Sequence, residues 1–530
     1  MKKTNIARLA VTAGLTLAMG AGMMAPATVA FAADAAATGN ITINQVTGNS
    51  TTFTGYQIFT GKVEEVGGQK KVSDLDWANN DVKAAVESVA KKTFNTAQDG
   101  ADWITQQITG TDSTTAVEAS STANALAKAV SGVTTTTTVK PDTATNLSAG
   151  YWLFVTTPNT AGNGESATAP IFAVVGGKDV NVTEKDSVPT VTKTVDNGQT
   201  SGSTHVGDTL SYKIEGTVSS DIATFKTYQY VFTDTLSAGL DYQEDAKVTV
   251  DGTDVTSKAT VAYDQTSHKL TVTFNDLKTA TTLITKDSKV DVTYTAKVNA
   301  NAAAGQRTNL DNTVKLTYSN DPHTSGTGTT TNNPTVREYT YKLKLVKCDR
   351  DTEKALNGAT FTIKNSDGKY VQSDGSLGDA AYTFTANGDD GFMVNGLDAG
   401  TYTVEETAAP NGYQKTGKFT FTITPTISTS GDNKDSLTGL DLSVDQNSDV
   451  IAGVADNTPG DHTLTAKANT AANVKTGIVT VTVGDKKEIT MPLTGMKGTT
   501  ALMVYGSAIL VISAAAYLKH KRNASNDDAE

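Results

Sequence analysis

The chain has 530 residues, and its 44 basic and 56 acidic side chains give a net charge of −12. This length suffices for three or four domains, and the acidic balance argues against a nucleic-acid-binding protein, which needs a basic face. Hydrophobic residues make up only 38% of a chain rich in Thr, Val, Gly, Asn and Asp, a composition typical of short strands joined by polar turns. The single cysteine, Cys348, excludes an intrachain disulfide framework, and the five scattered histidines give no zinc motif. We therefore expect no metal and no cofactor.

The N-terminus has the order of features found in signal peptides. Residues 1–32 begin with lysines, continue with an apolar stretch between Leu9 and about Met24, and end in a small-x-small sequence before Ala33. This order is typical of a leader that is removed on export. We therefore expect a secreted mature chain that begins near Ala33.

The C-terminus carries three features in a row. A short motif occupies residues 491–495, an uncharged apolar stretch occupies residues 500–518, and a basic tail occupies residues 519–530. The apolar stretch is just long enough to cross a bilayer as a transmembrane helix, and the positive charge after it predicts a cytoplasmic tail. The motif consists of Met491, Pro492, Leu493, Thr494 and Gly495.

This three-part arrangement resembles the sorting signal that sortase transpeptidases read in Gram-positive bacteria. The resemblance implies cleavage of the bond between Thr494 and Gly495, with Thr494 held as an acyl-enzyme and the membrane helix serving as a transient anchor. The family usually has leucine where this chain has Met491. Methionine has a similar volume and enough flexibility to fill a leucine pocket.

Two changes in composition divide the chain between these signals into three segments. The expected domains are residues 33–185, 186–336 and 337–490, with a polar, proline-containing joint at the first boundary and a Thr-, Gly- and Asn-rich stretch at the second. Period-two alternation, as in residues 269–274, runs through all three segments. It predicts an all-β protein of tandem immunoglobulin-like β-sandwich domains.

Helical patterns are confined mainly to the first of these segments. They cover residues 81–101 and residues 115–130. We therefore expect the first domain to combine its sheets with some helix.

Polar side chains interrupt the inward face of several predicted strands in the second segment. Side chains two residues apart on a strand share a face. By this rule Lys193 shares a face with two valines, and Asp234 shares one with three aromatic residues. Asn312 and Asn320 lie in phase with a third apolar run. The segment thus offers an inward lysine, an inward aspartate and two inward asparagines.

The third segment repeats this pattern. Lys347, Glu406 and Asp485 each end a run of core-facing residues, on an early, a middle and the last predicted strand. Burial of an isolated charge is costly, and even a paired ion loses several kcal/mol of hydration. Such residues could simply cap strand ends and reach water.

The other interpretation is that the lysine condenses with the amide or carboxyl group. Desolvation lowers the pKa of a lysine and raises the pKa of a carboxyl group. A buried pocket would then hold a neutral amine nucleophile beside a protonated acid, which shuttles protons while ammonia or water leaves. Repetition of the pattern in two segments favours this interpretation.

Residues 345–361 and 402–413, with Lys347 followed by Cys348-Asp349 and Glu406 followed by Thr-Ala-Ala-Pro, resemble the B-type repeat domain of collagen adhesins and Gram-positive pilins. The resemblance implies an intramolecular isopeptide bond between Lys347 and Asp485, with Glu406 as the catalytic acid. Most pilins have asparagine at the last of these positions, where this chain has Asp485.

The second segment resembles the second domain of shaft pilins, which contains an A-type Lys–Asp–Asn triad. The resemblance implies that Lys193 is cross-linked to an asparagine and that Asp234 is the catalytic acid. We favour Asn312 over Asn320, because Asn320 directly precedes an Asp-Pro pair and is expected to begin a turn. Residues 55–59 and 169–171 of the first segment resemble the N-terminal domain of these pilins. No comparable inward triad is visible in this first segment.

Lys185 ends the last predicted strand of the first segment on its outward face. The surrounding string resembles the pilin motif, whose lysine accepts the acyl group of the preceding subunit. Thr183 and Glu184 replace the usual Tyr-Pro, and Asp186 replaces the usual Asn. Lys178 is the nearest alternative acceptor.

Together these resemblances imply a major pilin, a secreted structural subunit of a surface fimbria and not an enzyme with turnover. A pilin-type (class C) sortase would join Thr494 of one copy to Lys185 of another, and a housekeeping sortase would attach the fibre to peptidoglycan in the cell wall. Adhesion to ligands on host or bacterial surfaces is the implied role. A wall-anchored monomeric adhesin and an accessory tip pilin are the alternatives. A surface glycosidase or protease would need an acid pair or a nucleophile–histidine pair, and the five histidines lie in no such motif.

Overall fold

The computed structural model describes residues 37–66, 69–109, 119–157, 160–184, 186–303, 310–324, 326–444, 450–453 and 471–488. The predicted signal peptide, Lys185, the sorting motif and the apolar stretch at 500–518 lie outside the described residues. Within the described ranges, no helix combines the length and the apolar character needed to cross a membrane.

The first part of the chain combines two sheets with helices. Its elements are β1 (Thr38–Asn44), β2 (Phe53–Val66), β3 (Gln69–Trp77), α1 (Asn80–Ala90), α2 (Ala97–Thr109), α3 (Thr122–Val130), β4 (Thr137–Val139), β5 (Thr145–Ser148), β6 (Gly150–Thr156), β7 (Ile171–Val175) and β8 (Val180–Thr183). The larger sheet has the order β3-β2-β6-β7, with β4 on β2, and the smaller sheet has the order β5-β1-β8.

Strand β6 forms the centre of this part, because both of its faces are buried. Tyr151 and Leu153 pack in one apolar cluster with the helices, whereas Trp152 and Phe154 pack in another with β1 and β8. Alternate side chains of a strand point to opposite faces, so β6 is the middle of three layers: helices, large sheet and small sheet.

The predicted helix over residues 81–101 is in fact two helices, α1 and α2. Lys91 adopts a left-handed conformation with φ of 54° at the end of α1, and Phe94 turns into the core. Thr96 and Asp99 then form a capping box, each side chain accepting a hydrogen bond from the other residue's backbone N–H. This capping box is the signal in the sequence that a second helix begins here. Of the other predicted helix, residues 115–118 lie outside the described part.

The second part is a sandwich of two sheets. Its strands are β9 (Val191–Val195), β10 (Ser201–Ser203), β11 (Thr209–Thr217), β12 (Tyr230–Leu236), β13 (Leu240–Tyr242), β14 (Lys247–Val250), β15 (Thr253–Asp254), β16 (Thr260–Asp264), β17 (Lys269–Phe274), β18 (Lys289–Val298), β19 (Asp311–Ser319), β20 (Thr327–Thr329) and β21 (Thr335–Tyr339). One sheet has the order β15-β14-β18-β11-β9, with β13 on β18. The other has the order β10-β21-β19-β12-β17-β16, with β20 on β19. Alternating burial along β11 and β18 places their apolar side chains between the sheets.

The third part is a second sandwich with its own core. Its elements are β22 (Tyr341–Asp349), β23 (Thr360–Lys364), β24 (Tyr370–Val371), β25 (Leu377–Gly378), β26 (Phe384–Thr385), β27 (Phe392–Leu397), β28 (Gly400–Ala408), β29 (Phe419–Ile427), β30 (Leu437–Val444), β31 (Val450–Gly453), α4 (Ala471–Thr476) and β32 (Ile478–Asp485). One sheet has the order β27-β22-β32-β31, and the other has the order β25-β24-β23-β28-β29-β30, with β26 on β23.

The first and last strands of this third part, β22 and β32, are parallel neighbours. Their register runs from Lys342 opposite Ile478 to Asp349 opposite Asp485. The prediction of an all-β protein with tandem sandwich domains, and with most of its helix in the first, is confirmed. Short 3₁₀ turns complete the described chain at Ile222–Thr224, Thr256–Lys258, Leu277–Thr279, Ala300–Ala303 and Gly388–Asp390.

Candidate functional sites

Two lysines are buried in the sandwich cores. Among the described lysines, only Lys193 and Lys347 fall in the buried class, with 3% and 0% of their surface exposed. Lysine is almost never fully buried unless it is paired. The contacts of these two side chains therefore define the candidate sites.

Lys193 lies between the two sheets of the second part, in what we call the first triad (Lys193, Asp234 and Asn312). Its Nζ atom lies 2.5 Å from Asp234 Oδ2 and 2.9 Å from Asn312 Oδ1. Asp234 and Asn312 belong to the neighbouring strands β12 and β19, whereas Lys193 belongs to β9 of the facing sheet. The structure thus brings together the residues that the sequence analysis assigned to this triad.

Asn320 occupies a different place. It follows the end of β19, and its Nδ2 atom donates a hydrogen bond to the carbonyl oxygen of Gly162 at 3.1 Å. It is buried, but its contact is with the first part of the chain and not with Lys193.

Two tyrosines enclose the first triad, and the sequence analysis did not find either of them. The rings of Tyr212 and Tyr294 stack with centroids 5.1 Å apart. The ammonium of Lys193 lies 5.3 and 5.4 Å from these ring centroids. The alternation of apolar and polar residues along β11 and β18 predicts that both tyrosines are ordinary core residues. The sequence pattern therefore did not indicate a role in the site for either of them.

The hydroxyl of Tyr294 contacts every member of the first triad. It donates to Asp234 Oδ2 at 2.5 Å, accepts from Asn312 Nδ2 at 2.6 Å and lies 3.1 Å from Lys193 Nζ. Because these four groups form one buried hydrogen-bonded network, protons can move within it without access to water.

Burial determines the protonation states in this network. Desolvation lowers the pKa of Lys193 to about 8, although the neighbouring Asp234 carboxylate acts in the opposite direction. Burial, together with the charge of Asp234, raises the pKa of Tyr294 well above its ordinary value. The amine is therefore partly neutral near neutral pH, and the phenol keeps its proton.

Lys347 lies in what we call the second triad (Lys347, Glu406 and Asp485). Its Nζ atom donates a hydrogen bond to Asp485 Oδ1 and lies 3.4 Å from Glu406 Oε1. All three side chains have 0% of their surface exposed. Lys347 and Asp485 belong to the parallel neighbours β22 and β32, and Glu406 reaches them from β28 of the facing sheet.

Glu406 is placed to act as an acid. Its Oε2 atom accepts a hydrogen bond from the backbone N–H of Thr416 at 2.6 Å. Burial raises the pKa of Glu406, although the Lys347 ammonium and this hydrogen bond act in the opposite direction. The Phe361 ring, whose centroid lies 5.9 Å from Lys347 Nζ, forms part of the apolar surroundings.

A third group of buried titratable residues was not predicted; we call it the carboxyl cluster (Glu184, Asp186 and Asp221). Asn49 Nδ2 donates to Glu184 Oε2 at 3.2 Å and to Asp186 Oδ2 at 2.9 Å. Burial raises the pKa of Glu184 and of Asp221 to about 7, and it raises the pKa of Asp186 well above its ordinary value. Throughout the described ranges, no group of three His, Cys, Asp or Glu residues could hold a metal ion.

The carboxyl cluster changes the interpretation of the joint between the first two parts. A polar segment that contains a proline is typical of an exposed linker. Glu184 and Asp186, however, have only 2% and 4% of their surface exposed. Lys185, which separates them in sequence, lies outside the described residues, as do Thr494 and the rest of the 491–495 motif. The alternative acceptor Lys178 is exposed and forms an ion pair with Glu65 at 2.8 Å.

Comparisons with known proteins agree with this architecture. Residues 341–435 match the family model SpaA, a prealbumin-like fold domain. The T6 backbone pilin of serotype M6 Streptococcus pyogenes, which has a modular three-domain structure, aligns with a TM-score of 0.52 at 16% identity, and the alignment covers 86% of this chain and 100% of that one. No curated protein matches the sequence.

Two further major pilins align with lower scores. SpaD from Corynebacterium diphtheriae has a TM-score of 0.45 at 18% identity, covering 86% of this chain and 98% of that one. BcpA from Bacillus cereus has a TM-score of 0.39 at 20% identity, covering 66% of this chain and 92% of that one. The predicted resemblance to Gram-positive backbone pilins is confirmed at the level of the fold by the SpaA match and the T6 alignment.

Proposed function

We propose that this chain is the repeating backbone subunit of a covalent surface pilus of a Gram-positive bacterium, a structural protein that is hardened by two internal isopeptide bonds. Its three domains would meet near residues 185 and 336, where one apolar core ends and the next begins. The observation that carries the proposal is the burial of two lysines, each within reach of an acid and of an amide or carboxyl group.

The first triad is arranged for loss of ammonia. Transfer of one proton from the Lys193 ammonium to Asp234 gives a neutral amine beside a protonated acid, which the low pKa of Lys193 favours. The amine nitrogen attacks Asn312 Cγ, and the bond between Cγ and Nδ2 breaks. The attacking nitrogen loses one proton, the departing nitrogen gains one, and the products are an amide and ammonia.

The second triad is arranged for loss of water. Transfer of the hydrogen-bonded proton from Lys347 to Asp485 would give a neutral amine beside a protonated carboxyl group. The amine attacks Asp485 Cγ while the raised pKa of Glu406 keeps a proton available to polarise the carbonyl oxygen. The bond between Cγ and the hydroxyl oxygen then breaks, and the hydroxyl leaves with the proton that the attacking nitrogen gives up. The products are an amide and one water molecule, so that two buried charges disappear from the core.

Assembly would use the features outside the described residues. A pilin-type sortase would cleave after Thr494 and transfer the acyl group to Lys185 of another copy, and a housekeeping sortase would attach the finished fibre to peptidoglycan. This route is supported by the sorting motif, the apolar stretch and the basic tail in the sequence. Export of the chain is supported by the predicted signal peptide. Adhesion to host or bacterial surfaces would be the role of the fibre.

The mass of the purified mature chain tests the internal bonds. We expect a mass about 35 Da below that calculated from the sequence, since one ammonia and one water are lost. Digestion should yield one peptide pair joined through Lys193 and Asn312, and another joined through Lys347 and Asp485. A mass equal to the calculated value would refute both bonds.

A further inference from the structure

Tyr294 lies beside the first triad, at a position from which its hydroxyl could carry a proton between two of the triad's side chains. The nitrogen that must leave, Asn312 Nδ2, donates its hydrogen bond to Tyr294 Oη at 2.6 Å. The carboxylate of Asp234, which must take the proton from the amine, contacts Lys193 Nζ and Tyr294 Oη at 2.5 Å each. The phenol oxygen therefore lies between the acceptor of the first proton and the group that needs a proton to depart.

We propose that Tyr294 is a catalytic residue of isopeptide formation, which relays a proton from Asp234 to the departing nitrogen of Asn312. This proposal rests on the proposed function, because it assumes that Lys193 and Asn312 react. It adds a fourth reacting group to the triad and assigns the departure of ammonia to it.

The relay balances in protons and electrons. When Lys193 Nζ attacks, Asp234 already carries the proton that the ammonium gave up. Asp234 donates this proton to Tyr294 Oη while the phenol gives its own proton to Asn312 Nδ2, and the bond between Cγ and Nδ2 breaks with its electron pair on the nitrogen. The Asp234 carboxylate that results then takes the proton that the attacking nitrogen loses. Tyr294 ends with one proton, Asp234 is again protonated, and ammonia leaves.

The surroundings of the phenol suit this role. Burial and the charge of Asp234 keep Tyr294 protonated, so it carries a proton instead of acting as a permanent base.

The test compares Tyr294→Phe with Tyr230→Phe. Tyr230 is a matched control, because it is buried in the same core and its hydroxyl donates to the carbonyl oxygen of Thr217 at 2.7 Å, outside the triad. The full chain is made by cell-free translation, aliquots are quenched in acid at intervals, and the peptide pair joined through Lys193 and Asn312 is quantified by mass spectrometry. We expect Tyr294→Phe to slow the appearance of this pair by about 100-fold, the lower range for general acid–base catalysis, and Tyr230→Phe to change it by less than about twofold.

The possible results separate the relay from the bond itself. An unchanged rate in Tyr294→Phe, or equal slowing in both variants, would overturn the relay and leave the isopeptide bond intact. Absence of the joined peptides in the unaltered chain would instead overturn the proposed function. If Tyr294→Phe does not fold, 3-fluorotyrosine at position 294 keeps the ring and the hydroxyl but makes the phenol more acidic. A shifted dependence of the rate on pH would then support the relay, and an unshifted one would overturn it.

Discussion

Each sandwich has a lysine side chain in a core that excludes water. Lys193 and Lys347 have no exposed side-chain surface, and each has a carboxyl group in contact. Desolvation lowers the pKa of Lys193 to about 8, so the environment that makes this lysine costly to bury also makes its amine nucleophilic. The proposed amide would then remove the charge permanently.

Replacement of the first-triad asparagine distinguishes the two candidates in the sequence. Asn312→Ala should abolish the cross-link to Lys193, reduce the mass deficit by about 17 Da and lower the free energy of unfolding by about 4–5 kcal/mol, because the partners lie 119 residues apart in sequence. Asn320→Ala should retain the full deficit, since Asn320 bonds to Gly162. Intact mass and denaturant unfolding measure both effects, and a deficit that depends on Asn320 would contradict this assignment.

Adjacent glutamates on β28 give a matched pair for the second triad. Glu406 is buried, whereas Glu405 pairs with Lys418 on the other face at 2.9 Å. Glu406→Gln removes the acidic proton while preserving the shape, so the peptides joined through Lys347 and Asp485 should no longer form on the timescale of expression. Glu405→Gln should form them normally. Formation of the bond in both variants would show that Glu406 supplies no proton.

At the same scale, Tyr294 is a site residue that the sequence analysis did not predict. The members of both triads stand out because a charged or amide group breaks an apolar alternation. A tyrosine in phase with Val290 and Val292 of β18 breaks no pattern, and only its position against β9, β12 and β19 gives its hydroxyl a role. That position depends on the packing of the two sheets, which alternation within one strand does not contain.

At the scale of elements, the end of β8 and the turn before β12 meet in the carboxyl cluster. The charges of Glu184 and Asp221 each add to the effect of burial in raising the pKa of Asp186, and Asn49 shares its amide between Glu184 and Asp186. Hydrogen bonds such as that from Asn124 Nδ2 to the carbonyl oxygen of Thr224, at 2.9 Å, also join the two parts here. The joint between the first two parts is thus a packed contact that contains ionisable groups.

The stability of this joint should depend on pH. The folded pKa values of Glu184 and Asp221, about 7, exceed their ordinary values, so the folded state binds protons more tightly than the unfolded state. The contribution of these two groups to stability is then greatest below about pH 4 and falls as the pH rises to about 7, by up to about 1.4 kcal/mol per pH unit for each carboxyl that ionises. Hydrogen exchange of residues 219–225, corrected for the intrinsic effect of pH, should show more opening at pH 8 than at pH 5.

A neutral variant provides the control for this dependence. Asp221→Asn keeps the size of the side chain and removes one ionisable group, so it should weaken the effect of pH, whereas the exposed Asp264→Asn should leave it unchanged. Exchange that is equally slow at both pH values in the unaltered chain would contradict the argument.

The sequence predicted the strands that have one buried and one exposed face, but it did not predict the burial of the joint between the first two parts. Strands such as β11 alternate cleanly and follow directly from the sequence. The joint between the first two parts is polar in composition, but its residues Glu184 and Asp186 are buried. A polar composition predicts that a segment is exposed to water, but packing against a second domain can bury such a segment.

At the scale of the whole molecule, the proposed polymerisation should require Lys185. Lys185→Ala should abolish the high-mass ladder that cell-wall extracts of the producing bacterium give on denaturing gels, while monomer remains attached to the wall. Lys178→Ala should leave the ladder intact, because that lysine, although exposed, pairs with Glu65 and is not the proposed acceptor. A ladder that persists in Lys185→Ala and disappears in Lys178→Ala would reassign the acceptor, and persistence in both would favour a monomeric adhesin.

The parallel pairing of β22 with β32 has a mechanical consequence for such a fibre. Tension applied at the two ends of the third part pulls on the start of β22 and the end of β32, so that all paired positions from Lys342 to Asp349 resist in shear at once. An amide between Lys347 and Asp485 would carry the pull directly from one strand to the other. The chain between these two residues, which lie 138 positions apart, would then be bypassed and could not unravel. A fibre of such subunits would transmit a pull from its tip to the cell surface with little extension of this part.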